Sequence, residues 1–360
     1  MTETAGKNEN KKHLDELIRI VISEGASDLH LAEGRTPMIR ISGFLSPVGK
    51  MAKLSAEDMN SFAEIFLTEE KKKEFFSEHE IDFAYNYKDE VRFRGNGFFQ
   101  QGGKNFALRL IPKKIRTIEE LNLPSILEIF TQKQQGFFLV VGPIGHGKTT
   151  TLASLIELIN SSRPEHIITI EDPIEYVYEP KQSVIDQREV KIDTVDFNIA
   201  LSSVFRQDAD VVMIGEMRDI ETISAAVTAA ETGHLVFSTL HTNNAAQTID
   251  RIIDSFPSGQ QDQIRIQLAG SLSGIFSQRL VPRISGGLIP AYELLISNNA
   301  VANLVREKRS HEIDTVIETS LDKGMISLDR SLADLVRRGE ITSENAYLYS
   351  LNPKLLDRLL

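Results

Sequence analysis

The chain of 360 residues contains no cysteine and no tryptophan. Without cysteine it cannot carry a disulfide framework or a zinc or iron–sulfur site built on thiolates. Long apolar runs are also missing, since the longest has five residues, Phe137 to Val141. A helix that spans a membrane needs about 20 apolar residues. We therefore expect a chain that does not cross a bilayer.

Positive charge is scarce: 40 basic residues face 51 acidic ones, and the formal net charge is −11. This balance argues against binding of nucleic acid that is mainly electrostatic, so we expect no nucleic-acid partner. The first residues, MTETAGKNENKKH, lack the apolar core of a secretory signal. The remaining composition is ordinary for a globular protein, and the length fits two domains better than one. These features predict a soluble, cytoplasmic, two-domain protein.

The pattern of apolar residues divides the chain into four segments. Residues 1–12 are polar and are predicted to form a disordered tail, whereas residues 13–112 combine an amphipathic helix with short alternating strands, typical of a small α+β domain. Residues 113–135 are predicted to be a linker with short helices of its own. In residues 136–360, apolar strand runs alternate with helical stretches, which indicates an α/β fold with a mostly parallel sheet. After about residue 256 we expect helices to dominate.

The segment GPIGHGKT, residues 142–149, has the spacing of a phosphate-binding loop and lies between an apolar strand and an amphipathic helix. Its glycines allow several backbone N–H groups to point at one anion, and the helix N-terminus adds positive charge. We expect Lys148 to reach the β- and γ-phosphates and the Thr149 hydroxyl to hold Mg²⁺. The predicted nucleotide-binding residues are Gly142, Pro143, Ile144, Gly145, His146, Gly147, Lys148, Thr149 and Thr150.

His146 occupies a position in this loop where a small residue is more common. Its ring has two possible functional roles, as a pH sensor or as a cation that contacts phosphate. We expect instead that the side chain points away and that only the backbone of His146 faces the ligand.

Acidic residues follow the next strand, in TIEDPIEY, which carries Glu171, Asp172 and Glu175. Ligands of such sheets bind outside the carboxyl ends of the strands. One of these carboxylates is therefore a candidate to orient or deprotonate the water that attacks the γ-phosphate.

Two further strands end in polar residues. DVVMIGEMRD places Glu216 where the Mg²⁺ shell usually takes its carboxylate, although a salt bridge to Arg218 or Arg206 is the alternative. TGHLVFSTLHT places His234 and His241 at opposite ends of a strand, about 23 Å apart, which is too far for one metal ion. His241 is a candidate sensor of the γ-phosphate, whereas His234 would act elsewhere or only stabilise the fold.

These motifs together resemble the PilT family of type IV pilus retraction ATPases, within the secretion ATPase superfamily. The resemblance spans nearly the whole chain, through GASDLHLAEG, PMIRISG, VRFRGNGF, the phosphate loop, TIEDPIEY, GEMRDIETI, AAETGHLVFSTLHT and AVANLVRE. It implies a PAS-like α+β N-terminal domain and a RecA-like P-loop ATPase domain, assembled as a homo-hexamer. It also implies ATP hydrolysis with Mg²⁺ that powers pilus retraction and twitching motility. The motor would act at the cytoplasmic face of the inner membrane, on a platform protein and alongside a second retraction ATPase.

The resemblance also assigns roles to single residues. Glu175 looks like the family's general base, Glu216 like its Walker B acid, and His234 with His241 like its histidine box. Arg92, Arg94 and Arg109 look like arginines that reach a neighbouring subunit's nucleotide; the alternative is a solvated strand face. The predicted catalytic residues are thus Glu175, Glu216, Lys148, His241 and His234, with Thr149 and Glu216 on the metal.

The sequence departs from the family pattern at Ile144 and His146 in the loop and at Ala302, which replaces an arginine in AVANLVRE. The family associates that last motif with retraction rather than with hydrolysis. The alternatives are a pilus-assembly or type II secretion ATPase, many of which carry a four-cysteine zinc module, and a PilU-like accessory subunit. A DNA-translocating ring is disfavoured by the net charge.

Overall fold

The computed structural model describes residues 2–41, 44–49, 51–88, 91–111 and 114–360, with side chains from residue 11 onward. The chain divides into two compact units, Met1–Lys114 and Ile115–Leu360. The predicted domain boundary at residues 112 and 113, and the last two residues of PMIRISG, lie outside the described residues.

The first unit is built on one antiparallel sheet with helices. Its helices are α1 (Thr2–Ser23), α2 (Ala56–Phe66) and α3 (Glu69–Glu78). Its strands are β1 (Asp28–Ala32), β2 (Met38–Ile41), β3 (Phe44–Pro47), β4 (Glu80–Tyr87), β5 (Val91–Gln100) and β6 (Gly103–Ile111). The strand order is β3-β2-β1-β6-β5-β4, and every pair is antiparallel.

Helix α1 packs against α2 in the core of the first unit through Leu14, Leu17, Ile18 and Val21, which are fully buried as their helical spacing predicts. The helix begins at Thr2, contrary to the predicted disordered tail over residues 1–12. Those residues contain glutamate and lysine and no proline. Once the buried turns have nucleated the helix, each added residue costs little, so the polar segment continues it.

The second unit contains a seven-stranded sheet and most of the helices. Its strands are β7 (Gly136–Val141), β8 (His166–Glu171), β9 (Val184–Glu189), β10 (Val211–Ile214), β11 (Leu235–Leu240), β12 (Leu272–Pro282) and β13 (Leu288–Ile296). Their order is β13-β12-β7-β11-β10-β8-β9, parallel except for the antiparallel edge strand β13. This confirms the mixed α/β class.

The helices of the second unit cover both faces of its sheet. They are α4 (Glu128–Thr131), α5 (Lys148–Ser162), α6 (Phe197–Val204), α7 (Ile220–Glu231), α8 (Ala245–Asp254), α9 (Ser258–Ser271), α10 (Asn299–Arg306), α11 (Ile313–Thr319), α12 (Leu328–Arg337), α13 (Ser343–Tyr349) and α14 (Pro353–Leu359). Side chains of β7 alternate between two cores, with Phe137 and Leu139 in one and Phe138 and Val140 in the other. Burial on both faces explains why this strand is a continuous apolar run.

The predicted linker, residues 113–135, is not a free connector beyond Lys114. Ile118, Leu123, Leu127 and Phe130 are buried in the same core as Phe138. Burial of these apolar side chains lowers the free energy of the folded chain, whereas a solvated connector would leave them in water. The segment from Ile115 therefore belongs to the second unit.

The sequence pattern did not predict the hairpin of β12 and β13, which lies among the helices that follow residue 256. Buried polar residues interrupt the alternation of apolar and polar side chains along β12. Ser277 donates to Asn243 O (2.9 Å), and the buried Gln278 accepts from Thr151. The spacing of apolar residues does not predict hydrogen bonds between buried polar groups that are distant in the sequence.

None of the helices in the described ranges is both long and apolar enough to cross a membrane.

Glu293 on β13 is an ionisable group in the core of the second unit. Its buried carboxyl accepts a hydrogen bond from Ala245 N–H at the start of α8 (2.8 Å), and burial raises its pKa to about 8. Because the folded protein binds this proton more tightly than the unfolded chain, the stabilisation is complete below about pH 4.5 and is lost as the pH rises towards 8.

The Glu293→Gln variant should therefore lose less stability than the wild type between pH 5 and pH 8.5, with a difference of about 2–4 kcal/mol at the upper end. Thermal unfolding of both proteins at several pH values measures this slope. Burial also raises the pKa of Glu171 to about 7, so part of the slope should remain in the variant. Parallel curves for the two proteins would refute the assignment to Glu293.

Candidate nucleotide site

The loop between β7 and α5 is shaped by its glycines. Gly142 and Gly147 have φ angles of +145° and +82°, which side chains rarely adopt. A Cβ atom on Gly142 would lie 2.3 Å from Gln278 O, so only glycine fits there. Gly147 is the N-cap of α5, which begins at Lys148. The loop therefore ends at a helix N-terminus, where N–H groups and the helix dipole attract an anion.

Lys148 lies beneath this loop and is only 7% exposed. Its Nζ donates to Gly142 O and Pro143 O, both at 2.9 Å, and lies 3.2 Å from His241 Nδ1. Burial lowers the pKa of Lys148, while the nearby carboxylates of Glu216 and Glu175 oppose that shift. The ammonium is thus held by carbonyl groups of the loop, near two carboxylates that favour its charged form.

Glu216 follows β10 and His241 follows β11. The His241 ring lies between Lys148 and Glu216 and contacts both side chains. Because an ammonium only donates, His241 Nδ1 must accept from Lys148, which leaves the ring proton on Nε2. Nε2 lies 3.5 Å from Glu216 Oε2, and Glu216 Oε1 pairs with Arg218. The salt bridge to Arg218 therefore exists together with the placement of Glu216 beside the lysine.

The two glutamates of TIEDPIEY have different environments. Glu171 is 2% exposed and accepts from Thr169 Oγ1 (2.7 Å), Gln187 Nε2 (3.2 Å) and Glu175 N–H (3.4 Å). Glu171 therefore organises the turn from the inside, whereas the charge of the half-buried Glu175 acts on Lys148. Asp172 of the same segment is exposed.

The His146 ring is held by β12. Its Nδ1 accepts from Leu280 N–H at 2.9 Å, and its carbonyl accepts from Gln278 Nε2 at 2.9 Å. Burial lowers the pKa of His146, and the charges of Arg279 and Lys148 lower it further. The ring is accordingly a neutral hydrogen-bond acceptor.

His234 is not brought to this cluster. It precedes β11, whereas His241 follows the same strand. Its Nδ1 donates to Ala229 O (3.0 Å) at the end of α7, and its ring packs edge-on against Phe205. The hydrogen bond ties the end of α7 to the start of β11, and the ring contact adds Phe205, which follows α6.

The three predicted arginines lie in the first unit, on β5 and β6. Arg94 is directly opposite Arg109 in the strand register, and Arg92 is two positions away on the same face. Arg109 Nε donates to Asp28 Oδ1 at 2.9 Å, although the arginine side chain is 68% exposed. These arginines form a basic row on one face of the antiparallel sheet.

Comparison with known proteins gives the family. A model of the type II/IV secretion system protein family matches residues 3–287. The type IV pilus retraction ATPase PilT of Pseudomonas aeruginosa is 41% identical over 92% of this chain and 96% of its own. The twitching motility protein of Neisseria gonorrhoeae is 44% identical over 86% of this chain and 83% of its own. The chain belongs to the PilT family.

The structural comparison agrees with this assignment. A crystal structure of the pilus retraction motor PilT with bound ADP covers 95% of this PilT-family chain and 98% of its own, at 42% identity and a TM-score of 0.90. The type IV pilus ATPase PilU of P. aeruginosa, 38% identical over 93% of this chain and 88% of its own, is also similar. This PilT-family chain is accordingly an ATPase with the secretion ATPase fold.

Sequence reasoning missed the residues that support the loop of this PilT-family chain from other elements. Gln278 of β12 contacts both the loop and Thr151 of α5, and Tyr176 OH lies 2.9 Å from Thr150 Oγ1. The available signal was the polar run Ser277 to Arg279 between the apolar residues of IFSQRLV, which indicates buried polar groups that need partners.

Proposed function

We propose that this protein is a homo-hexameric, Mg²⁺-dependent ATPase motor that powers type IV pilus retraction, and hence twitching motility. The first unit is its PAS-like domain and the second its RecA-like P-loop domain. The observation that carries the proposal is the meeting of the phosphate loop, Lys148, Glu175, Glu216 and His241 at the carboxyl ends of four neighbouring parallel strands. This is the edge at which such sheets bind ligands.

In this proposal, ATP lies with its phosphates against the loop backbone and Lys148. The residues present suit Mg²⁺, because Thr149 and Glu216 offer the hard oxygen donors that this ion prefers. Bound there, Mg²⁺ would neutralise charge that develops on the β- and γ-phosphates. Lys148 would exchange its bonds to the loop carbonyls for bonds to phosphate, and His241 would sense the γ-phosphate next to it.

Hydrolysis requires a water aligned with the γ-phosphate. Glu175 is the proposed general base, since its charge acts on Lys148 of the loop whereas Glu171 is buried and hydrogen-bonded. His234 lies away from this cluster, and we propose that it transmits changes of α7 rather than touching nucleotide.

The basic row of Arg92, Arg94 and Arg109 is proposed to contact the nucleotide of a neighbouring subunit. Arginines supplied in this way stabilise the charge of the transition state. If they act between subunits, Arg109→Ala and Lys148→Ala should complement each other in mixed rings. Each variant alone should be inactive, whereas the mixture should regain activity because some interfaces combine an intact loop with an intact arginine.

The mixture is measured as Mg²⁺-ATP turnover against mixing ratio, after the rings are dissociated and reassembled. A mixture that stays as inactive as its components would contradict action between subunits. Arg35→Ala, on an exposed arginine of the same unit, is the matched control.

We further propose a cytoplasmic location, peripheral to the inner membrane, with the platform protein of the pilus and a second retraction ATPase as partners and no nucleic acid. Deletion of the gene should leave cells with pili that do not retract. Loss of pili would favour the assembly ATPase instead.

Half-buried Ala302 packs on the core of the second unit from α10, at the position where the family carries an arginine.

A further inference from the structure

Strand β12 runs beside the phosphate loop. It pairs in parallel with β7 as far as Ser277, which is opposite Val141, so the residues after Ser277 lie along the loop that follows Val141. Gln278 and Leu280 are two positions apart and share one face of this strand. A Cβ atom on Gly147 would lie 2.9 Å from Gln278 Nε2 and 3.4 Å from Leu280 Cδ1. This face therefore forms one wall of the loop.

The Gln278 amide joins the loop to α5. The side chain is 3% exposed; its Nε2 donates to His146 O (2.9 Å), and its Oε1 accepts from Thr151 Oγ1 (2.6 Å). The orientation of the amide is determined, because a carbonyl only accepts and must face the NH₂ group. One buried side chain thus connects the middle of the loop with the first turn of the helix that follows it.

The His146 ring makes a second connection in the opposite sense. Its Nδ1 accepts the Leu280 N–H (2.9 Å), which has no strand partner in the register of β12 with β7. The ring also meets Tyr349 of α13 edge-on, with centroids 6.2 Å apart. A small residue at position 146 would supply neither contact.

We propose that Gln278, Leu280 and His146 form a latch, the β12 latch, that holds the phosphate loop in its anion-binding shape, with Gln278 as a positioning residue for ATP hydrolysis. This inference rests on the proposed binding of nucleotide at the loop. The latch acts before the chemical step, since it sets the direction of backbone N–H groups and touches no reacting atom. It should therefore contribute equally to binding of substrate and of transition state.

Gln278→Glu tests the amide. The carboxylate still accepts from Thr151 but cannot donate to His146 O, and it places negative charge beside an anion site. We expect KM for ATP and Kd for ADP to rise about tenfold or more, with kcat changed less than about threefold, as for a loss of uniform binding. Gln263→Glu, on an exposed glutamine of α9, repeats the charge change away from the loop. A folded Gln278→Glu variant with KM and Kd within twofold of the wild type would overturn the proposal.

His146 offers a second test that does not disturb the buried strand. Asparagine can present an acceptor at the position of Nδ1, whereas alanine cannot. ADP binding measured by calorimetry should weaken about fivefold in His146→Ala and recover to within about twofold in His146→Asn. Equal binding by the alanine variant and the wild type, or equally weak binding by both variants, would contradict the latch.

The two proposals can fail separately. If Lys148→Ala binds ADP as tightly as the wild type, the loop is not the nucleotide site. If Lys148→Ala loses binding while the Gln278 and His146 variants keep it, the nucleotide site stands and only the latch is rejected.

Discussion

Lys148→Ala is expected to lower Mg²⁺-ATP turnover by at least about 10²–10³-fold, the range found when one preorganised charge-stabilising donor is removed. The Lys148 ammonium is buried, and carbonyl groups of the loop and His241 surround it. Its loss removes the positive charge that would balance the phosphates, in a site where solvent screens poorly. ADP binding should fall as well, because the lysine is expected to contact the β-phosphate.

Turnover assays and ADP calorimetry on the purified full chain measure both effects. Lys354→Ala, on an exposed lysine of α14, removes one charge far along the chain and should behave as the wild type. Turnover of Lys148→Ala within tenfold of the wild type would refute the role given to this lysine.

Glu175→Gln is expected to lower kcat by about 10²–10⁴-fold, the usual contribution of a general base, while ADP binding stays within a few-fold. The amide keeps the size of the side chain but cannot take a proton from water. Loss of kcat without loss of binding is the signature of an interaction made only in the transition state.

Two matched variants separate this role from the effects of charge and of folding. Glu179→Gln changes an exposed glutamate four residues further on, and its turnover should be unchanged. Glu171→Gln alters the buried partner of Thr169 and Gln187 and should affect stability more than kcat. A larger loss of kcat in Glu171→Gln than in Glu175→Gln would transfer the role of base to Glu171.

Local chemistry made much of the second unit predictable. The phosphate loop needs an apolar strand, glycines and a helix start in direct succession, and all three lie between Gly136 and Lys148. The order of TIEDPIEY, Glu216 and His241 along the chain also predicted their meeting, because parallel strands place their carboxyl ends at one edge. The helix face at Leu14 followed from apolar spacing.

Contacts between distant segments limited the rest. The hairpin of β12 and β13 was not predicted, because its buried polar residues break the period-2 pattern and their partners lie far along the chain. The segment after Lys114 was taken for a linker, since its apolar residues find their core only in the folded unit.

The amino-acid sequence by itself determined which chemical groups are available and which strand end carries each of them: the lysine and hydroxyl of the loop, the carboxylates after β8 and β10, and the histidine after β11. Only the tertiary structure decided their environments. Glu171 is buried whereas Glu175 is not. Strand β12 makes the His146 ring a hydrogen-bond acceptor, and its Gln278 supports the phosphate loop. The physical reason is that a motif specifies covalent neighbours, whereas burial and hydrogen-bond partners depend on segments that only folding brings together.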